Sequence, residues 1–130
     1  MSNSLYKEGK NAFLNKLIDM QNDTIKIALY SNAYTPLDTH TYATNFPTPV
    51  GTPQTLSSKT VTANVFDAAD PTFTAVASGT TVNGYIIYAD NGVTPYLIGW
   101  VDTGTGLPFT TNGGNITITF SSGSSKIFAL

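Results

Sequence analysis

The sequence predicts a mainly β fold: a single-domain antiparallel β-sandwich or small barrel, with one N-terminal α-helix packed on it. Three observations lead there. About seven short segments carry strand-like patterning and are separated by turn signals, the spacing expected of a sandwich or barrel. Threonine is the commonest residue, glycine and asparagine are abundant, and only 11% of residues are charged. Thr and aromatic side chains suit a pleated, half-buried surface, while Gly and Asn supply the turns between strands. Finally, helical spacing of apolar residues occurs once, at the N-terminus. A length of 130 residues predicts one domain spanning 1–130, long enough to bury roughly two thirds of its unfolded surface.

The helix is expected over about residues 4–20, "SLYKEGKNAFLNKLIDM". Leu5, Phe13 and Leu17 fall on one stripe with Leu14 and Ile18 beside them. Ser4 is placed to cap the start and Glu8 to favour the N-terminal end. Gly9 should weaken the middle by about 1 kcal/mol relative to alanine, and "QND" at 21–23 should end the element. In "TIKIALYS", Ile25, Ile27 and Leu29 alternate with Lys26, Ala28 and Tyr30, which predicts a strand. A long irregular segment over about 32–58 follows. It holds four of the seven prolines and has no clear period. Tyr34, Tyr42 and Phe46 lie within it, and aromatics seek burial, so a partner surface is one place for them.

A β core is predicted over about 59–130. "KTVTANVF" alternates, "DAADP" turns, "TFTAVA" returns and "SGTTVNG" turns again. "YIIYAD" (85–90) is almost continuously apolar, which suits a central strand buried on both faces, with the helix on one of them. "YLIGWVD" (96–102) has the same character. "TGTGLPFTTNGG" is a glycine-rich connection. "NITITF" sets Ile116, Ile118 and Phe120 on one face and Thr117 and Thr119 on the other, and "KIFAL" reads as a last strand.

Composition narrows function by exclusion. All six basic residues are lysines and the net charge is −2, which gives no basic face for a phosphate backbone, so no nucleic-acid partner is expected. There is no cysteine, so thiolate metal sites and disulfides do not arise. The N-terminus lacks the apolar stretch of a signal peptide, and no apolar run approaches the ~20 residues of a spanning helix, so no membrane partner is expected.

Asp102-Thr103-Gly104, after an apolar strand, has the form of an aspartic-protease motif. Such a site needs two facing motifs sharing a proton, so one motif per chain demands a dimer. It also needs a flap and a bracing apolar segment further on. Only 28 residues follow Asp102, too few for those parts. Asp102 is better read as a strand end opening an Asx-type turn, and no enzyme activity is expected. His40 stands without a second histidine, so neither a metal centre nor a His-based triad is supported. Asp67 and Asp70 bracket a tight turn and supply oxygens of the kind Ca²⁺ takes, but with so few partners they read as turn residues. No metal or other cofactor is expected. Tyr85, Tyr88, Tyr96 and Trp100 could stack a sugar, but their apolar strands make core packing the better reading.

Several strings, taken together, resemble a family of small virion structural proteins of tailed bacteriophages, of the capsid decoration or cement kind. They are "LYKEGKNAFLN" with "DTIKIALYSNAYT", "KTVTANVFDAADPTFTAV" (59–76), "YIIYADNGVTPYLIGWVDTGTGLPFTTNGGNITITF" (85–120) and "KIFAL" (126–130). The likeness runs over nearly the whole chain and is least defined at 34–57. It implies a capsid decoration protein that binds and stabilises the shell of major capsid protein, located in the virion after assembly in the host cytoplasm. The alternative it implies is a neck, tail or fibre-associated virion protein, with host surface glycans as a ligand. Partners would be the major capsid protein or other virion proteins, with homo-oligomers a further option. Tyr34, Tyr42 and Phe46 are the candidate partner contacts on that view, because prolines reduce the entropy that a contact arm loses on docking. The helix and a strand-pairing "KIFAL" are rival surfaces.

Overall fold

The computed structural model describes residues 4–15, 17–31, 34–35, 49–62, 65–90, 96–101, 107–120 and 127–129. Its elements begin with β1 (Ser4–Leu5), α1 (Lys7–Leu14), β2 (Ile25–Tyr30) and β3 (Val50–Thr55). Next come β4 (Thr60–Thr62), β5 (Val65–Asp67), β6 (Thr72–Phe73) and β7 (Thr81–Val82). The chain continues through β8 (Gly84–Ala89), β9 (Tyr96–Val101), β10 (Phe109–Thr110), β11 (Ile116–Thr117) and β12 (Phe128–Ala129). The fold is mainly β, every pairing among the described residues is antiparallel, and the arrangement is that of a small β-sandwich rather than a closed barrel.

The main sheet has the order β1-β9-β8-β2-β3. β8 is its central strand and, as its apolar run predicts, is buried on both faces. In register with β2, Ile87 opposes Ile27 and Tyr85 opposes Leu29, and these side chains join the larger core. Ile86 opposes Ala28 and belongs to a second cluster on the other face. The larger core is closed by Phe66, Phe73 and Val82 from the three smaller ladders and by Ile118 and Phe120, which follow β11. Those ladders are β10-β7, β11-β6 and β12-β5-β4.

Two irregularities shape the main sheet. Between β8 and β9, Ile87 pairs with Gly99 and Tyr88 with Leu97, which leaves Ile98 as an extra residue. Such a bulge re-aims a side chain, and Ile98 is fully buried in the larger core. Between β2 and β3, Ile27 opposes Gln54 while Leu29 opposes Val50. The slack in β3 takes in Gly51, at φ +75°, and Pro53. Proline cannot donate to a ladder and is tolerated at an edge strand or bulge.

The N-terminus differs most from expectation. The helix spans Lys7–Leu14 and not 4–20. Ser4 does not cap it; Ser4 and Leu5 pair with Trp100 and Gly99, and the N-cap position is Tyr6, with no side-chain cap. The predicted stripe is only partly buried: Ile18 is inside, but Leu14 is 84% exposed and Leu17 50%. The helix instead approaches through its small residues. A Cβ on Gly9 would lie 2.5 Å from the Leu97 carbonyl oxygen and 3.2 Å from Ile98 Cα. Ala12 is buried in the larger core, whereas Tyr6 sits in the cluster on the opposite face and donates its N–H to Ile98 O at 2.9 Å. Residues 4–14 therefore wrap the outer edge of β9 rather than lying on a sheet face, one of the ways proteins cover an exposed edge.

Within the predicted 32–58 loop, residues 50–55 form β3. The "KTVTANVF" segment is not one strand but the β4–β5 pair, with Thr62 opposite Val65. "KIFAL" supplies β12, which pairs with β5 of its own chain: Phe128 opposes Phe66.

Candidate functional site: an aromatic cluster and an assembly surface

Tyr34 is 6% exposed and belongs to the smaller core cluster with Tyr6, Ala28, Tyr30, Ile86, Leu97 and Trp100. Its hydroxyl and that of Tyr6 share a hydrogen bond of 2.6 Å. Its ring meets Tyr30 edge-on at 5.4 Å, and Tyr6 meets Trp100 in the same manner at 4.7 Å. Edge-to-face packing at these separations is favourable beyond the area it buries. Of the three residues expected at a partner contact, Tyr34 is thus occupied inside the protein. Tyr42 and Phe46 lie outside the described residues, as do His40 and Asp102-Thr103-Gly104.

The cluster is apolar in body and polar at its tips. Burial holds the Tyr6 hydroxyl well above its ordinary titration range, reinforced by the bond to Tyr34 and the neighbouring phenols. Burial raises Tyr34 as well. Both groups therefore stay protonated as hydrogen-bonding hydroxyls near neutral pH. The Trp100 indole Nε1 is buried with no acceptor among the described residues. Trp100 and Tyr88 project to this face of the sheet, while Tyr85 and Tyr96, one register position away, project to the other. Trp100 and Tyr85 are both over nine-tenths buried. These four aromatics do not form a common sugar platform.

Asp70 does turn work: its carboxylate accepts the Phe120 N–H at 3.0 Å, tying the β5–β6 connection to the end of the "NITITF" segment. Pro71 O accepts from Ile118 and the Thr72 and Thr117 hydroxyls meet at 3.0 Å, which completes that seam. Among the described residues no three His, Cys, Asp or Glu side chains gather as a metal site would require.

What the described surface offers is contact area. β4 is the edge of its ladder, with Thr60, Val61 and Thr62 all exposed. An edge strand presents unpaired backbone donors and acceptors to any added strand. Val61, Leu14 and Leu17 are the large apolar side chains exposed among the described residues. The Lys59 ammonium donates to Asp23 O, which ties the start of β4 to the turn that follows Leu17. That turn is pre-formed: the Asp19 carboxylate accepts from the side chain of Asn22 and from the N–H groups of Gln21 and Asn22, and these bonds lower its pKa. At the far edge of the main sheet, β3 is blunted by Pro53 and its bulge, so β4 is the more regular of the two.

The sequence names the helix as a rival contact surface but sets Leu14 and Leu17 on its buried stripe, whereas the structure leaves both exposed. The overlooked signal is Gly9: with glycine and Ala12 facing the sheet, bulkier residues one helical step away need not face it. Comparison with protein-family models, curated proteins and solved structures finds no match.

Proposed function

We propose that the chain is a structural protein of a tailed-bacteriophage virion, and within that class a decoration protein that binds the shell of major capsid protein and stabilises it. The reading rests on the ordered sequence strings from "KTVTANVF" to "KIFAL". The fold supports it physically. A β core whose central strand is buried on both faces is a well-packed body with little charge, and it leaves an edge strand and apolar side chains at the surface. Repeated by symmetry, modest contacts of that kind hold a protein on a lattice without a deep pocket.

The β4 edge with Val61, and Leu14 with Leu17, are the contacts we assign to the shell. Tyr42 and Phe46 remain candidates beside them, and Tyr34 serves the fold. Mass spectrometry of purified particles tests the class: a decoration protein occurs in the multiples set by shell symmetry, and a tail or fibre protein in few copies. Absence from purified particles refutes the reading altogether. Val61→Lys and the pair Leu14→Asp with Leu17→Asp should reduce occupancy on shells while far-UV circular dichroism is unchanged. Full occupancy with both variants would remove this surface from the proposal. Asp102→Asn is expected to leave assembly unaltered, as befits a protein without catalysis.

A further inference from the structure

The chain contains three Asn-Gly pairs, at Asn83, Asn91 and Asn112. We propose that Asn112 is a self-modification site: in the folded protein its side-chain amide cyclises onto the following backbone nitrogen and is converted to an acid. In the first step the Gly113 nitrogen, giving up its proton to solvent base, attacks Asn112 Cγ. A Cγ–N bond forms, the Cγ–Nδ2 bond breaks and Nδ2 leaves as ammonia, giving a succinimide. Water then opens the ring at either carbonyl, leaving an aspartyl or an isoaspartyl linkage at position 112. The net change is amide plus water to acid plus ammonia, with no oxidant or cofactor.

The turn is built for the first step. Asn112, Gly113 and Gly114 are all exposed, so base and water reach them. Gly113 sits at φ +87° with nothing within 4 Å of where a Cβ would be, so no neighbour resists the backbone's rearrangement. Among the described residues no acceptor engages the Gly113 amide. The Gly114 N–H donates to Asn112 Oδ1 at 2.9 Å. That oxygen takes up negative charge as Gly113 attacks, so the Gly114 amide acts as a pre-placed oxyanion donor. The flanks hold the geometry. Thr111, 4% exposed, is anchored through its hydroxyl to Thr80 N and Ala77 O, and Asn115 Oδ1 accepts from Ala75 N at 3.0 Å.

Asn83-Gly84 is the internal contrast. Gly84 is buried in β8, and a Cβ there would lie 2.2 Å from Val101 O and 2.6 Å from the Tyr30 hydroxyl. The Asn83 N–H is bonded to Tyr30 O at 2.8 Å. Cyclisation there would require the sheet to open. Asn91-Gly92 lies outside the described residues. Conversion at Asn112 adds a negative charge to a chain already at −2. The isoaspartyl form also lengthens the backbone beside the Val76 N–Gly114 O bond.

The test incubates the intact folded protein at mildly alkaline pH and follows both sites by chymotryptic peptide mapping. Cleavage at the aromatics separates Asn112, between Phe109 and Phe120, from Asn83, between Phe73 and Tyr85. Asn112 should convert at least about tenfold faster than Asn83, the effect of one transition-state hydrogen bond or more. It should also convert no more slowly in the folded chain than in the chain unfolded by denaturant, where Asn83 catches up. Asn112→Gln should abolish the new product in its peptide with the fold intact by circular dichroism. A smaller ratio between the two sites in the folded protein, or slower conversion of Asn112 folded than unfolded, overturns the proposal.

Discussion

Replacing Gly9 by alanine sets two physical effects against each other, and the structure decides the sign. In an exposed helix interior the change would stabilise by about 1 kcal/mol. Here the added Cβ would meet the Leu97 carbonyl oxygen at 2.5 Å, where ordinary contact begins near 3.4 Å, so α1 must retreat from β9 by about 0.9 Å. The obstacle is backbone on the edge of the central sheet, which cannot rotate away as a side chain would. Retreat also stretches the 2.9 Å bond from Tyr6 N to Ile98 O. Overpacking of this kind costs roughly 1–3 kcal/mol and the weakened hydrogen bond about 1 more. After the helix-propensity gain, Gly9→Ala should be destabilised by about 1–3 kcal/mol. Urea unfolding followed by circular dichroism reads this as a lower midpoint with an unchanged slope. Lys10→Gly, at an exposed position of the same helix, should cost only about 1 kcal/mol and calibrates the propensity scale. If Gly9→Ala is as stable as the parent or more so, the close approach of α1 to β9 is wrong.

Tyr6→Phe and Tyr34→Phe each remove one member of the 2.6 Å hydroxyl pair and should cost about 1–2 kcal/mol. The double variant should cost clearly less than the sum, and additivity in a double-mutant cycle would refute the pair. Tyr85 is pushed up to about 12 by burial, and Tyr6 and Tyr34 are raised as well. For each, the unfolded chain releases its proton near 10 while the folded one retains it. Their contribution is thus fully present below pH ~10 and is lost as pH rises toward the folded values. The tyrosinate absorbance of these three should therefore appear only in step with the loss of far-UV signal above pH ~10; ionisation of all seven tyrosines before unfolding would contradict the burial. Asp70→Ala leaves the Phe120 N–H without its acceptor and should cost about 1–2 kcal/mol in the same urea assay, whereas an unaltered midpoint would show that seam to be unimportant.

The strands legible in the sequence are those whose two faces differ sharply or are both apolar. β2, β8 and β9 fall within a residue or two of their patterned segments, and Ile118 and Phe120 are buried while Thr117 and Thr119 are exposed, as alternation predicts. β3 was not legible: its residues Val-Gly-Thr-Pro-Gln-Thr carry no period, because an edge strand with a bulge needs none. The sequence overextends the helix because apolar spacing continues through Leu14 and Leu17, yet both are exposed, and the chain beyond Leu14 returns Ile18 and Met20 to the core without helical structure. Of the candidate contacts, Tyr34 carried a real signal for burial, but the sequence contains nothing to distinguish a partner's surface from the protein's own Tyr6, twenty-eight residues earlier.

The sequence by itself determined the class of fold, the central strand and the low charge, because periodicity and composition record how much of each segment is buried. Only the tertiary structure decided what lies beside what: that α1 wraps the β9 edge through Gly9, that "KIFAL" returns to β5, and that the Tyr34 hydroxyl closes on Tyr6. Burial is a property of one residue in its segment, so it leaves a local trace. Adjacency is a property of two distant segments at once, and it appears only when the chain has folded.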